Sequence, residues 1–171
     1  KKGVETQPTY INALPYGPPP SSNVQYLLPT DQTLDWADPM GLGCVGQAPT
    51  GACGSIYLGP QPAVPHIHGG EVAPAFDGGP DAWWTPTGVK GSGAPVLLNV
   101  NQATFTYPTQ QQAGTIWFHD HALGATRLNV FAGHARITGK YGFPAFAGGD
   151  LVENHGDGNA GALDHRRSAA T

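Results

Sequence analysis

The chain has 171 residues, a mass of 17.8 kDa and a formal net charge of −4, and 12% of its residues are charged. Its 25 glycines and 17 prolines exclude long helices, because each proline removes a backbone donor and disfavours the helical turn before it. The low charge excludes a charged disordered chain, and the scattered basic residues argue against a nucleic-acid partner. No apolar run reaches the ~18 residues of a membrane-spanning helix. A hydrophobic share of 39%, with 4 Trp, 6 Tyr and 6 Phe, predicts an all-β domain rich in turns.

The predicted elements divide the chain into three parts. Residues 1–30 are rich in proline and predict an extended arm, residues 31–147 predict the folded domain, and residues 148–171 predict a glycine-rich tail. Within the domain, runs of β-branched and aromatic residues predict short strands, followed by a single helical turn. The strands are expected near residues 55–58, 64–68, 96–107 and 114–121, and the helical turn within residues 122–131.

The two cysteines of the chain, Cys44 and Cys53, flank a turn-rich segment. A disulfide between them would close a short loop and would indicate an oxidising compartment. The alternative is a pair of reduced thiols in a cytosolic protein. Their spacing does not match a Cys-x-x-Cys redox or zinc motif.

Four of the 7 histidines form two His-x-His pairs, His66 with His68 and His119 with His121. In a strand, residues i and i+2 point to the same face, with their Cα atoms roughly 6.5–7 Å apart. Two such strands side by side would present four imidazoles to one point. Neutral imidazole is a ligand for copper, zinc, iron and nickel, so the pattern predicts a metal site.

The surroundings of these pairs carry a resemblance. The first pair is followed by the stretch AFDGGPDAWW, and the second lies within WFHDHALGATRLNVFAG. Over residues 60–135 the sequence resembles the first cupredoxin domain of multicopper oxidases, in particular the laccase-like group of spore-coat laccases, bilirubin oxidases and phenoxazinone synthases. The resemblance implies an all-β, Greek-key, cupredoxin-like β-sandwich with long irregular loops and extended termini. It also implies a secreted, periplasmic or cell-surface protein, with a bacterial source favoured.

The resemblance implies a role for each of the four paired histidines. His66 would bind the type 2 copper of a trinuclear cluster. His68 and His119 would share one type 3 copper, and His121 would bind the other. The expected cofactor is therefore copper.

Two carboxylates lie close to these histidines in the sequence. Asp77, in a Phe-Asp-Gly stretch, matches an acid that the family uses to deliver protons to reduced oxygen, and we predict it as the catalytic residue. A carboxylate near a buried metal is a suitable proton relay, although an Asp-Gly pair also fits a simple turn. Asp120 lies between two predicted ligands, so it should point to the opposite face of its strand and act structurally.

The chain carries half of the ligand set that the resemblance implies. The family supplies the other ligands through His-x-x-His-x-His and His-Cys-His motifs, and neither motif occurs in these 171 residues. The resemblance therefore implies the N-terminal part of a copper-dependent oxidase, active only with a C-terminal half from another chain or protomer. Oxygen would be the acceptor, and a phenol, pigment or metal ion would donate single electrons. The alternative is a stand-alone copper- or zinc-binding cupredoxin module without oxidase activity.

Overall fold

The computed structural model describes residues 3–17, 26, 28–54, 56–114 and 116–138, and short strands dominate the regular structure of these ranges. The predicted tail, residues 148–171, lies outside them. The strands are β1 (Thr9–Ile11), β2 (Pro65–His68), β3 (Gln102–Thr104), β4 (Ile116–Asp120) and β5 (Ala135–Thr138). The helical elements are α1 (Thr126–Phe131) and two 3₁₀ turns, Gly51–Gly54 and Pro74–Phe76. This composition confirms the all-β, cupredoxin-like fold class.

The strands form two small open sheets. In one, β1 pairs antiparallel with β3, so that part of the predicted arm lies along the domain. In the other, β4 lies in the centre and pairs antiparallel with β2 on one side and β5 on the other. The second sheet brings His66, His68 and His119 to neighbouring strands, with His121 directly after β4.

Alternation along β2 and β4 separates the histidines from the core. Ile67 and Phe118 face each other across the two strands and are 1% and 4% exposed. They pack into the hydrophobic core, which also holds the fully buried ring of Phe105. Because side chains alternate between the faces of a strand, this burial directs His66, His68 and His119 to the other face.

The strand predicted near residues 55–58 does not form at residues 56–58. Ile56 and Leu58 are exposed there, while Tyr57 is buried and its hydroxyl donates to the carbonyl oxygen of Pro60. The apolar side chains suit a strand, but these residues pair with no neighbouring strand in the described ranges.

The structure joins Cys44 to Cys53 in a disulfide, with the two Cα atoms 5.3 Å apart. Cys44 is fully buried, and Cys53 lies in the first 3₁₀ turn. Disulfides are typical of proteins in oxidising compartments. Within the described ranges, every helix is too short or too polar to cross a membrane.

Candidate metal site

The register of β2 and β4 brings the two histidine pairs together. His66 lies directly opposite His119, and His68 lies opposite Trp117. The ring centroid of His66 is 5.2 Å from that of His119, 5.7 Å from that of His68 and 4.6 Å from that of His121. The rings of His68 and His121 lie 5.4 Å and 5.5 Å from the ring of His119. All four predicted histidines therefore belong to one cluster, which we call the histidine cluster.

Three members of the histidine cluster offer ring nitrogens that lie close enough together to take part in binding a metal. His66, His68 and His119 each offer a ring nitrogen, and these nitrogens lie within 4.8 Å of one another. Two nitrogens bound to one ion at ~2.1 Å are at most ~4.2 Å apart, so small ring movements would bring the three into coordination. His121 instead stacks on His66, with an angle of 21° between the rings.

Backbone carbonyl groups fix the tautomer of three of these rings. The Nδ1 atoms of His66, His119 and His121 lie 2.6, 2.7 and 3.0 Å from the carbonyl oxygens of Asp77, Asp120 and Gly78. A carbonyl oxygen only accepts, so each Nδ1 carries the proton and donates it. In the neutral imidazole the Nε2 atom of each ring then keeps its lone pair, which is the arrangement usual for metal-binding histidines. The donor set fits copper on this ground.

His68 offers the opposite ring nitrogen. Its Nδ1 lies 3.2 Å from Nε2 of His119, and its ring is exposed. Because His119 already donates through its own Nδ1, its Nε2 accepts the proton of His68. Nδ1 of His68 and Nε2 of His119 therefore face each other, and a metal ion could take the place of the proton between them.

Asp77 lies at the edge of the histidine cluster. The Oδ1 atom of Asp77 is 3.5 Å from Nδ1 of His66, and the side chain of Asp77 is 43% exposed. The backbone carbonyl oxygen of Asp77 accepts the Nδ1 proton of His66. The structure therefore brings Asp77 to the predicted ligands and also leaves it in contact with solvent.

Asp120 points away from the histidine cluster and binds backbone groups. Its carboxylate accepts hydrogen bonds from the amides of Val64 and Ala122, at 2.8 and 3.0 Å, and from Nδ2 of Asn129 at 2.8 Å. Burial raises the pKa of Asp120 to about 6, and these three hydrogen bonds oppose the rise by stabilising the charged form. Its role in the described structure is to tie chain segments together.

Two residues near the histidine cluster were not identified from the sequence. The ring of Trp117 lies 4.4 Å from that of His119 and 5.4 Å from that of His68. Trp117 lies two residues before His119 and therefore on the same face of β4, so the strand pattern would have predicted this contact. Asn129 is buried in α1. Its position between the apolar residues Leu128 and Val130 is the sequence feature that could have predicted a buried polar side chain.

We expect Gly78→Ala to destabilise the protein by more than about 2 kcal/mol, because Gly78 has a φ of +72° and an added Cβ would clash with the carbonyl oxygen of Pro65. The same loop supplies the carbonyl that orients His121, so metal affinity should fall with stability. Urea unfolding measures the first effect and copper titration the second. Gly79→Ala is the matched control, since its Cβ would enter open space. Equal unfolding midpoints for the two variants would contradict the expectation.

No family model matches the chain. The chain is 34% identical over 131 residues to "Multicopper oxidase LPR1" of Arabidopsis thaliana, a match that covers 77% of this chain and 17% of that protein. It is 43% identical over 72 residues to "Laccase" of Bacillus stratosphericus, covering 42% of this chain and 13% of that protein. It is 38% identical over 104 residues to "Laccase" of Haloferax volcanii, covering 59% of this chain and 16% of that protein.

The similarity to the Arabidopsis protein covers 77% of this chain, so it extends well beyond the two His-x-His motifs. The chain spans about a sixth of the length of that relative, whose match covers 17% of its residues. The resemblance indicated by the motifs is confirmed, and the chain carries a multicopper-oxidase-like domain.

Proposed function

We propose that this chain supplies half of the histidine ligands of a trinuclear copper cluster. The complete enzyme reduces oxygen to water and oxidises a phenol, a pigment or a metal ion by single electrons. The observation that carries the proposal is the histidine cluster, in which three rings donate through Nδ1 to backbone carbonyls and leave Nε2 available to a metal. Several relatives named as multicopper oxidases or laccases support the same chemistry.

The proposal gives each histidine one ligand role. His66 holds the type 2 copper, His68 and His119 share one type 3 copper, and His121 holds the other. The 3.2 Å separation between Nδ1 of His68 and Nε2 of His119 supports a shared ion at that point. Bound copper would supply redox chemistry at the site, relaying to oxygen the single electrons that the reducing substrate gives up. The protein contributes three rings, His66, His119 and His121, that backbone carbonyls already orient, which lowers the cost of ordering them on binding.

Asp77 is proposed to carry protons to the site. Reduction of oxygen to water consumes protons, and a carboxylate that contacts both solvent and a ligand can transfer them. The exposure of Asp77, together with the 3.5 Å distance from its Oδ1 to Nδ1 of His66, supports this role. Its backbone carbonyl also orients His66, so the residue serves the site through two different groups.

The remaining copper ligands are proposed to come from outside these 171 residues, in a second half of the oxidase carried by another chain or protomer. The relatives are several times longer than these 171 residues, which supports ligands supplied from outside them. We further propose that residues 31–147 form the cupredoxin-like unit, with an arm and a tail on either side. The disulfide supports a secreted, periplasmic or cell-surface protein.

Two measurements test this proposal. The 171-residue chain, loaded with copper, should bind the metal but consume no oxygen in the presence of ferrocyanide as a one-electron donor. The protein isolated from its native source should form a particle heavier than 17.8 kDa that contains copper and consumes oxygen. Full oxidase activity with an intense blue absorption band from the isolated chain would contradict the proposed division of ligands. A native monomer with one tightly bound zinc or copper ion and no oxygen uptake would instead favour the stand-alone metal-binding module.

A further inference from the structure

A buried amide in α1, that of Asn129, contacts the carboxylate of Asp120. Asn129 lies in α1, is 1% exposed, and uses Nδ2 to donate to Oδ1 of Asp120 at 2.8 Å and to the carbonyl oxygen of Pro62 at 3.0 Å. We propose that Asn129 is a positioning residue for the histidine cluster, acting through Asp120. The inference rests on the proposed role of the four histidines as metal ligands.

Asp120 connects Asn129 to the strand segments that carry the histidines. Its Oδ2 accepts from the amide of Val64, two residues before His66, and its Oδ1 accepts from the amide of Ala122, directly after His121. Its own carbonyl oxygen accepts the Nδ1 proton of His119. The orientation of Asp120 therefore affects the backbone next to three of the four histidines.

Asn129 holds Asp120 because its Nδ2 donates to two acceptors, Oδ1 of Asp120 and the carbonyl oxygen of Pro62. The two protons of one amide nitrogen satisfy a carboxylate and a carbonyl at once, which an aspartate or a leucine at position 129 cannot do. The main chain supports the same contact, since the carbonyl of Asn129 accepts from the amide of His134 and the carbonyl of His134 accepts from the amide of Asp120. Side chain and main chain together fasten α1 to the end of β4.

The chain contains a matched control at Asn12. This residue is also a buried asparagine, 5% exposed, and its Nδ2 donates to two carbonyl oxygens, those of Gln61 and Trp84, at 2.9 and 2.8 Å. None of these contacts involves Asp120 or a histidine. Loss of either amide should therefore cost a similar amount of stability, and only the loss of Asn129 should disturb the histidine cluster.

The test compares Asn129→Leu with Asn12→Leu in the full chain. Both variants should lower the urea midpoint of unfolding to a similar extent. In the metal-free protein, long-range ¹H–¹⁵N spectra should show a fixed Nδ1–H tautomer at His119 and His121 in the wild type and in Asn12→Leu, and averaged tautomers in Asn129→Leu. Competition with a chelator should give a Cu(II) affinity lowered about 10–100-fold in Asn129→Leu, the usual cost of losing a group that orients a metal ligand, and unchanged in Asn12→Leu.

Unchanged imidazole spectra in Asn129→Leu, or equal losses of copper affinity in the two variants, would overturn the inference. If Asn129→Leu does not fold, the milder pair Asn129→Ser and Asn12→Ser takes its place, with the same expectations. The metal-free spectra also separate this inference from the proposed function. A wild-type chain that binds no copper would contradict the function, whereas the tautomers would still report whether Asn129 positions the rings.

Discussion

Replacement of His68 by glutamine is expected to lower the Cu(II) affinity of the chain by about 100-fold or more, beyond the usual cost of losing a group that only orients a ligand. The reason is the position of its Nδ1, 3.2 Å from Nε2 of His119, where both nitrogens face one point. Because the His68 ring is exposed, its removal leaves no cavity in the core. The free energy of unfolding should therefore change by less than about 0.5 kcal/mol.

Chelator competition and urea unfolding, measured on the same preparation, check both parts of this expectation. The control is His155→Gln, which removes a histidine of the predicted tail that belongs to neither His-x-His pair. The control should retain wild-type affinity. A His68→Gln variant that binds copper as tightly as the control would show that the ion binds elsewhere in the chain.

Replacement of Asp120 by alanine is expected to cost about 3–5 kcal/mol of stability, because three buried donors lose their acceptor at once. This is a large share of the roughly 5–15 kcal/mol that stabilises an ordinary domain, so the variant will be close to unfolding. Asp120→Asn keeps the shape of the side chain but turns an amide group toward N–H donors, and it should cost about 2 kcal/mol.

Urea unfolding of the two variants measures these losses. The exposed carboxylate of Asp31 provides the comparison, since among the described residues it accepts side-chain and backbone hydrogen bonds from its near neighbour Thr33. Asp31→Ala should stay close to the wild type. Equal unfolding midpoints for Asp120→Ala and Asp31→Ala would contradict the role of Asp120 as the residue that ties β4 to Val64, Ala122 and Asn129.

The parts of the fold that surround the histidines were predictable because their signals are local. The stretches PHIH and IWFHD combine a two-residue alternation with aromatic and β-branched side chains, and both form strands. The two strands lie side by side, as the pair of His-x-His motifs predicted, and their antiparallel register sets His66 opposite His119. The segment at residues 56–58 carries similar side chains but pairs with no strand of the described ranges, and pairing depends on contacts that the local sequence does not encode.

The supporting groups of the site were harder to predict because they act through the backbone or over long sequence distances. The carbonyl oxygens of Asp77 and Gly78 orient His66 and His121. Because every residue has a backbone carbonyl group, the residue type does not show which carbonyl accepts a hydrogen bond from a histidine. The bond between Asn129 and Asp120 depends on how α1 packs against β4, which is a tertiary contact. The ligands were therefore recognisable from residue type and spacing, whereas the groups that hold them required the fold.

We propose that the histidine cluster binds copper through its imidazole nitrogens. Pulsed electron paramagnetic resonance of the Cu(II)-loaded chain, with ¹⁵N-labelled histidine, tests it most directly because each coordinated imidazole couples to the copper spin. We predict imidazole couplings in the wild type, the loss of one coupling in His68→Gln and an unchanged spectrum in His155→Gln. Copper without imidazole coupling, or a His68→Gln spectrum identical to that of the wild type, would contradict the claim.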